Sequence, residues 1–201
     1  MPQRPPIDPQ GCYHVSSRGC YGRVLFPTPQ ASERFLQMYA RVAHKYGWTT
    51  VAWVLRHNHH HFVLRLSAGG LSEGMRELHG GYSRWFHLQT GETGQGHLVR
   101  HAFFARQLMS DADLLIACCY VDLNPVVSSP TLPPERGAWC GYRATVGLEH
   151  PRPFHRPSEL LELLDTRPAR ARAAYRTLVH ERLALRRHGF SPNDGEGLAR
   201  G

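Results

Sequence analysis

The stretch Leu55-Arg56-His57-Asn58-His59-His60-His61-Phe62-Val63-Leu64 constrains the fold of this chain more than any other. Apolar runs stand on both sides of its polar centre, Val51-Ala52-Trp53-Val54-Leu55 before it and Phe62-Val63-Leu64 at its end. That pattern predicts two buried strands joined by a hairpin with Arg56-His57-Asn58 at its tip. Successive side chains of a strand point to opposite faces. His59, His61, Val63 and Arg65 therefore share one face, and His60, Phe62, Leu64 and Leu66 share the other. The second set is a core face. The first aims two imidazoles at one point from a rigid strand, which suits several transition metals. For any one of these histidines a solvated turn is the plain alternative. His57 sits in the turn itself, and His60 falls at the edge of the core.

The rest of the chain narrows the setting. A length of 201 residues, 41% of them hydrophobic, makes one domain with an appended tail. No run of about eighteen apolar residues occurs, so no membrane helix is expected. The start, Met1-Pro2-Gln3-Arg4-Pro5-Pro6, has no apolar stretch of the kind a secretory signal carries. Cys12, Cys20, Cys118, Cys119 and Cys140 form no CxxC pair and are odd in number, which fits reduced thiols in a cytoplasmic protein. The net charge is +8, and arginine far outnumbers lysine. Guanidinium forks onto phosphate, and each phosphate neutralised releases counterions, so this balance favours a polyanionic partner.

Taken in order, residues 1–10 are Pro-rich and expected to be disordered. Tyr13-His14-Val15-Ser16-Ser17-Arg18-Gly19 reads as a first strand, with Tyr13 and Val15 on one face and His14 and Ser16 on the other. Residues 30–46 place Phe35, Met38, Tyr39, Val42 and Ala43 at helical spacing, and Gly47 stops that helix. After the central hairpin, a second helix spans residues 72–89 with Met75, Leu78, Tyr82, Trp85 and Phe86 on its buried face. Residues 101–109 read as a fourth strand. A third helix runs from Asp111, as its N-cap, to Leu123, and Asn124-Pro125 ends it.

Strand, helix, strand, strand, helix, strand is the split βαβ, ferredoxin-like order of an α+β fold. Both crossover helices then cover one face of an antiparallel sheet whose first and third strands are central. The His59/His61 face is left for a substrate and the third helix. On that helix Tyr120 and Asn124, four apart, lie on one side. From the residues alone Tyr120 can equally be a core tyrosine and Asn124 a C-cap. Residues 158–188 are helical in pattern and rich in arginine, either a DNA-backbone arm or a solvated basic helix. Residues 191–201 are expected to be disordered.

Five stretches in order resemble the IS200-like tyrosine transposases, in particular the REP-associated branch. They are Tyr13-His14-Val15-Ser16-Ser17-Arg18-Gly19, Asn58-His59-His60-His61, Gly96-His97-Leu98, Tyr120-Val121-Asp122-Leu123-Asn124-Pro125 and Tyr142-Arg143-Ala144. The resemblance covers residues 11–148, which it marks as a catalytic domain followed by a basic helical tail over 149–201. It implies the HUH class of single-strand nucleases, in which two histidines flanking a usually hydrophobic residue bind a divalent metal. Carried over, His59 and His61 are metal ligands and Asn124 stands in the place of a third. Tyr120 is the nucleophile. Here His60 occupies the usually hydrophobic middle position, and His57 stands where the family usually has proline.

The implied activity is metal-dependent nicking and joining of single-stranded or hairpin DNA, of REP type, through a 5′-phosphotyrosine, with Mg²⁺ or Mn²⁺ as cofactor. DNA transposition and recombination are the processes such chemistry serves. Arg18, Arg84, Arg100 and Arg106 are the candidate phosphate contacts. The protein is expected to be a monomer or homodimer with no membrane partner. The alternative is a catalytically silent DNA-binding protein of the same fold. An unrelated zinc hydrolase is a third reading, and it lacks a HExxH or similar pattern.

Overall fold

The structure is a computed structural model that describes residues 6–92, 96–100, 103–127 and 131–187. A four-stranded antiparallel sheet organises it. The chain runs through β1 (Cys12–Arg18), α1 (Pro29–Lys45), β2 (Thr49–Arg56), β3 (His59–Arg65), α2 (Leu71–Thr90), β4 (Phe104–Leu108) and α3 (Asp111–Val127). The strand order is β2-β3-β1-β4, so the first and third strands are central as the ferredoxin-like order requires. Arg56 pairs with His59 across a two-residue turn of His57 and Asn58, which starts β3 on its first histidine.

Each sheet face has its own core. On one side Tyr13, Val15, Trp53, Leu55, Phe62 and Leu64 meet α1 and α2. The Tyr39 ring stacks on Phe62 with centroids 3.8 Å apart. Thr28 Oγ1 caps α1 by accepting from the Ala31 amide, with Pro29 at the first helical position. Gly74 lets α2 approach the turn after α1: a Cβ there would stand 2.4 Å from the Trp48 ring. On the other side Cys12, Ala52, Val54, Val63 and Leu108 meet Leu114, Ala117, Cys118 and Val121 of α3.

The structure corrects several expectations. Asp111 is not the N-cap of α3: Ser110 Oγ accepts from the Asp113 amide, and Asp111 opens the first turn. Pro125 does not end the helix, which runs on to Val127. The proline removes a single donor near the helix end, Val126 beyond it is buried, and Arg56 Nη1 donates to the Pro125 carbonyl at 3.3 Å. The tail is not one helix. A short turn, α4 (Tyr142–Thr145), precedes α5 (Ser158–Leu161), and Pro168 opens a separate α6 (Pro168–Arg187). α6 is not wholly solvated, because Ala171, Tyr175, Val179 and Leu183 are buried in the second core. Residues 6–10 of the stretch expected to be disordered form a turn in which the Tyr13 hydroxyl accepts from the Asp8 amide. Residues 1–5, 101–102 and 188–201, with the expectations placed on them, lie outside the described residues.

The exposed edge of β2 is covered where Leu55 donates to the Trp139 carbonyl and Gly141 to that of Trp53. All five cysteines are free. No helix among the described residues is long and apolar enough to cross a membrane.

Candidate active site

β3 supplies the two imidazoles, and its strand alternation puts them on the α3 face. His59 and His61 lie with ring centroids 5.2 Å apart and planes at 87°. His59 Nδ1 is 2.8 Å from Asn58 Oδ1, so Asn58 accepts the ring N–H. The side chain of Asn124 is in hydrogen-bond contact with the same ring. His61 is buried, 5% exposed, and its Nδ1 lies 3.0 Å from His14 Nε2. Those two rings stack at 5.1 Å, 15° from parallel. His14 reaches His61 because β1 is the neighbour of β3 and Ser16 pairs with His61, leaving His14 on the diagonal.

Tyr120 of α3 completes the cluster. Its half-buried ring meets His61 at 5.5 Å and His14 at 5.7 Å, edge-on in both cases. Arg186 of α6 lies over the Tyr120 ring, its Cζ 5.2 Å from the centroid. On a helix Asp122 faces away from Tyr120. Its carboxylate is fully buried and accepts from the Tyr175 hydroxyl at 2.7 Å. Burial pushes the Asp122 carboxyl up to about 7, against the lowering effect of that hydrogen bond.

The histidines are held neutral. Burial brings His59 down to about 4, helped by the charge of Arg18, and brings His14 to about 3, helped by Arg106. Burial likewise holds His61 well below its ordinary value. Neutral imidazole is the metal-binding form. Among the described residues no three His, Cys, Asp or Glu side chains converge as a metal site. The donors present fit a metal differently. With Asn58 on Nδ1 of His59 and His14 on Nδ1 of His61, both rings can keep the Nε2 lone pair for a cation, in the manner of outer-shell partners that orient metal-bound histidines. A metal bound about 2.1 Å from each nitrogen needs ring centroids roughly 5 Å apart, as found. Asn124 adds an amide oxygen.

Of the arginines singled out in the sequence, Arg18 joins this group. It is exposed on the same face, pairs in register with His59 and lowers both candidate ligand histidines. Arg106 pairs with His14 in register but binds Asp113 at 3.2 Å. Arg84, exposed on α2, belongs to the opposite side of the sheet. Arg100 is also exposed and joins the site through its backbone, its amide donating to the Arg18 carbonyl at 3.0 Å. His14, which lies in the first matching stretch without a role assigned to it, and Arg186, which lies outside every stretch, also border this cluster. The alternation in the first strand already puts His14 on this face, whereas nothing local in the sequence brings Arg186 to Tyr120.

The sequence profile of the IS200-like transposases matches residues 10–122, more than half of the chain. No curated protein matches. Among solved structures, that of a REP-associated tyrosine transposase bound to a REP hairpin is similar, with a TM-score of 0.61 and 16% identity, over 78% of this chain and 90% of that one. At that identity the likeness shows the fold. The family rests on the profile, and by it this chain belongs to the IS200-like transposases.

Proposed function

We propose that the protein is a metal-dependent nickase and strand transferase of single-stranded or hairpin DNA, of the REP-associated kind, with Tyr120 as nucleophile. The observation that carries this reading is the packing of the Tyr120 ring against His61 and His14, with Asn124 against His59. Nucleophile and candidate ligands thus meet on one sheet face, contributed by elements far apart in the chain. The solved relative bound to a REP hairpin supports the choice of DNA.

The reaction is in-line displacement at phosphorus. The Tyr120 oxygen attacks the scissile phosphate and gives its proton to solvent. The P–O3′ bond breaks as the Tyr–O–P bond forms, and the 3′-oxygen leaves as a hydroxyl after taking a proton. The products are a 5′-phosphotyrosine and a free 3′-hydroxyl. An incoming 3′-hydroxyl reverses the step and rejoins DNA with no external energy source, because the diester bond is conserved in the covalent link. Mg²⁺ or Mn²⁺ held by His59, His61 and Asn124 would supply charge at the non-bridging oxygens. Arg18 stands where it can bind the phosphate of an approaching strand, and Arg186 fixes the phenol from its other side.

Labelled hairpin DNA incubated with Mn²⁺ or Mg²⁺ and run on a denaturing protein gel tests this. The expected result is a metal-dependent protein–DNA adduct lost in Tyr120→Phe and in His59→Ala, while salt-sensitive binding of the hairpin survives in both. Binding without any adduct in the unaltered protein would instead establish the catalytically silent DNA binder.

A further inference from the structure

The family profile ends at residue 122, yet a helix well beyond it, α6, reaches the candidate nucleophile. Arg186, in the last turn of α6, lies over the Tyr120 ring with Cζ 5.2 Å from the centroid. His61 and His14 meet the same ring edge-on. One phenol is thus in contact with a candidate metal ligand and with a guanidinium.

The place of that guanidinium is built into the fold. Ala171, Tyr175, Val179 and Leu183 dock α6 in the second core, and the Tyr175 hydroxyl donates to Asp122 of α3 at 2.7 Å. Leu183 stands three residues before Arg186, so the docked part of the helix extends to within one turn of it. Arg182 is one turn earlier on the same side, and both arginines are half-buried. Both also act on the Cys119 thiol, which directly precedes Tyr120. Two like charges four apart on a helix repel each other. An anion beside Tyr120 relieves that repulsion, and phosphate joined to the Tyr120 oxygen is such an anion.

The face of a neutral phenol attracts a guanidinium only weakly. A charged phosphate oxygen attracts it more strongly and accepts its hydrogen bonds. The contact therefore strengthens as the Tyr–O–P bond forms, which is the condition for lowering the barrier.

We infer that Arg186 is a further catalytic residue, which turns from the phenol face by a change of rotamer and donates to a non-bridging oxygen of the phosphate being joined to Tyr120. The inference rests on the nicking reading above and adds to it a cation supplied by α6. Bonds made and broken, and the protons moved, are those already given; Arg186 contributes hydrogen bonds and charge.

Arg186→Gln and Arg186→Lys are compared with the unaltered protein in single-turnover nicking of labelled hairpin DNA with Mn²⁺ or Mg²⁺, beside equilibrium binding of the same DNA. Arg186→Gln should slow adduct formation by about 10- to 100-fold, with hairpin affinity altered far less and the melting temperature kept, since Leu183 and the Tyr175–Asp122 bond still dock the helix. Arg186→Lys, which keeps the charge but loses the fork, should recover part of the rate. A hairpin with a methylphosphonate at the mapped nicking position separates contact with phosphate from support of the ring. Its methyl group replaces one non-bridging oxygen and removes the charge. For the stereoisomer that lacks the oxygen bound by Arg186, the unaltered protein and Arg186→Gln should form adduct at equal rates. The same slowing on the phosphodiester and on both methylphosphonate isomers overturns the inference, because Arg186 then only supports the ring. An adduct formed from the phosphodiester equally fast by the unaltered protein and Arg186→Gln overturns this inference alone. Absence of any adduct with the unaltered protein overturns the nicking reading and this inference with it.

Discussion

His14 shows how much of the site depends on one residue outside the His-x-His pair. It is 1% exposed, and its Nε2 faces Nδ1 of His61 at 3.0 Å. If His61 is to offer Nε2 to a metal, its Nδ1 carries the proton and His14 must accept it. His14 Nδ1 then carries a proton of its own, and that atom has no partner among the described residues. A buried donor left unpaired costs about 1–3 kcal/mol, a cost that persists where the acceptor at the other end of the ring is needed. His14→Ala should lower Mn²⁺ affinity by about 10- to 100-fold, measured by titration calorimetry. His14→Gln, which keeps an acceptor, should recover part of the loss. Unchanged Mn²⁺ affinity in His14→Ala would show that His61 is oriented by the strand alone. The His59/His61 pair, Tyr120 and Asn124 were legible from alternation and helical spacing together with the family resemblance. The partnership of His14 with His61 was not, because it depends on the register of β1 against β3, which sets Ser16 opposite His61.

At the scale of elements, α3 carries two kinds of chemistry on two sides. Tyr120 and Asn124 face the sheet histidines, while Asp122 faces α6 and takes the Tyr175 hydroxyl. The second carboxylate oxygen, Oδ1, is buried with no partner among the described residues. Tyr175→Phe would leave the whole carboxylate unsatisfied. It should cost about 1–3 kcal/mol, visible as a lowered urea midpoint, with faster amide exchange in α6. A midpoint equal to that of the unaltered protein would mean that Asp122 finds another donor. The docking of α6 was hidden in the sequence by its arginines. Ala171, Tyr175, Val179 and Leu183 repeat every fourth residue, but the polar residues between them make the helix read as solvated. Pro125 misled for a related reason. The local bias against helix before proline holds for an isolated segment, whereas here the last turn is held by the burial of Val126 and by Arg56. The strand order was easier to read, since β1 to β4 each show their own alternation or apolar run and the alternating order of elements leaves few topologies.

Across the whole molecule, buried titratable groups make stability depend on pH. Burial holds His79 and His155 at about 4, His14 at about 3 and His60 well below its ordinary value. In the unfolded chain each titrates near 6.5. Between those values the unfolded state binds more protons, so stability is full above about pH 6.5 and falls as the pH drops toward 4, by about 1.4 kcal/mol per pH unit for each imidazole. Asp122 works the other way. Its folded value of about 7 lies above the ordinary 3.8, so the folded state binds the extra proton and stability rises as the pH falls from 7 toward 4. With His59 and His61 lowered as well, six histidines stand against one carboxylate and leave a net loss of several kcal/mol per pH unit. For a domain with a total of about 5–15 kcal/mol, this places cooperative unfolding between about pH 6 and 4. Asp122→Asn isolates the opposing group. Its amide oxygen can still accept from Tyr175, and no charge is buried at high pH. The variant should be more stable than the unaltered protein at about pH 8, by up to about 4 kcal/mol, and by less than half of that at about pH 5. Urea unfolding of both proteins at intervals from about pH 5 to about pH 8 measures this. A stability that is flat from about pH 7 to about pH 5 would mean that water reaches the buried imidazoles. An effect of Asp122→Asn that is the same at both ends of that range would mean that Asp122 is ionised in the folded chain across it, as it is in the unfolded one.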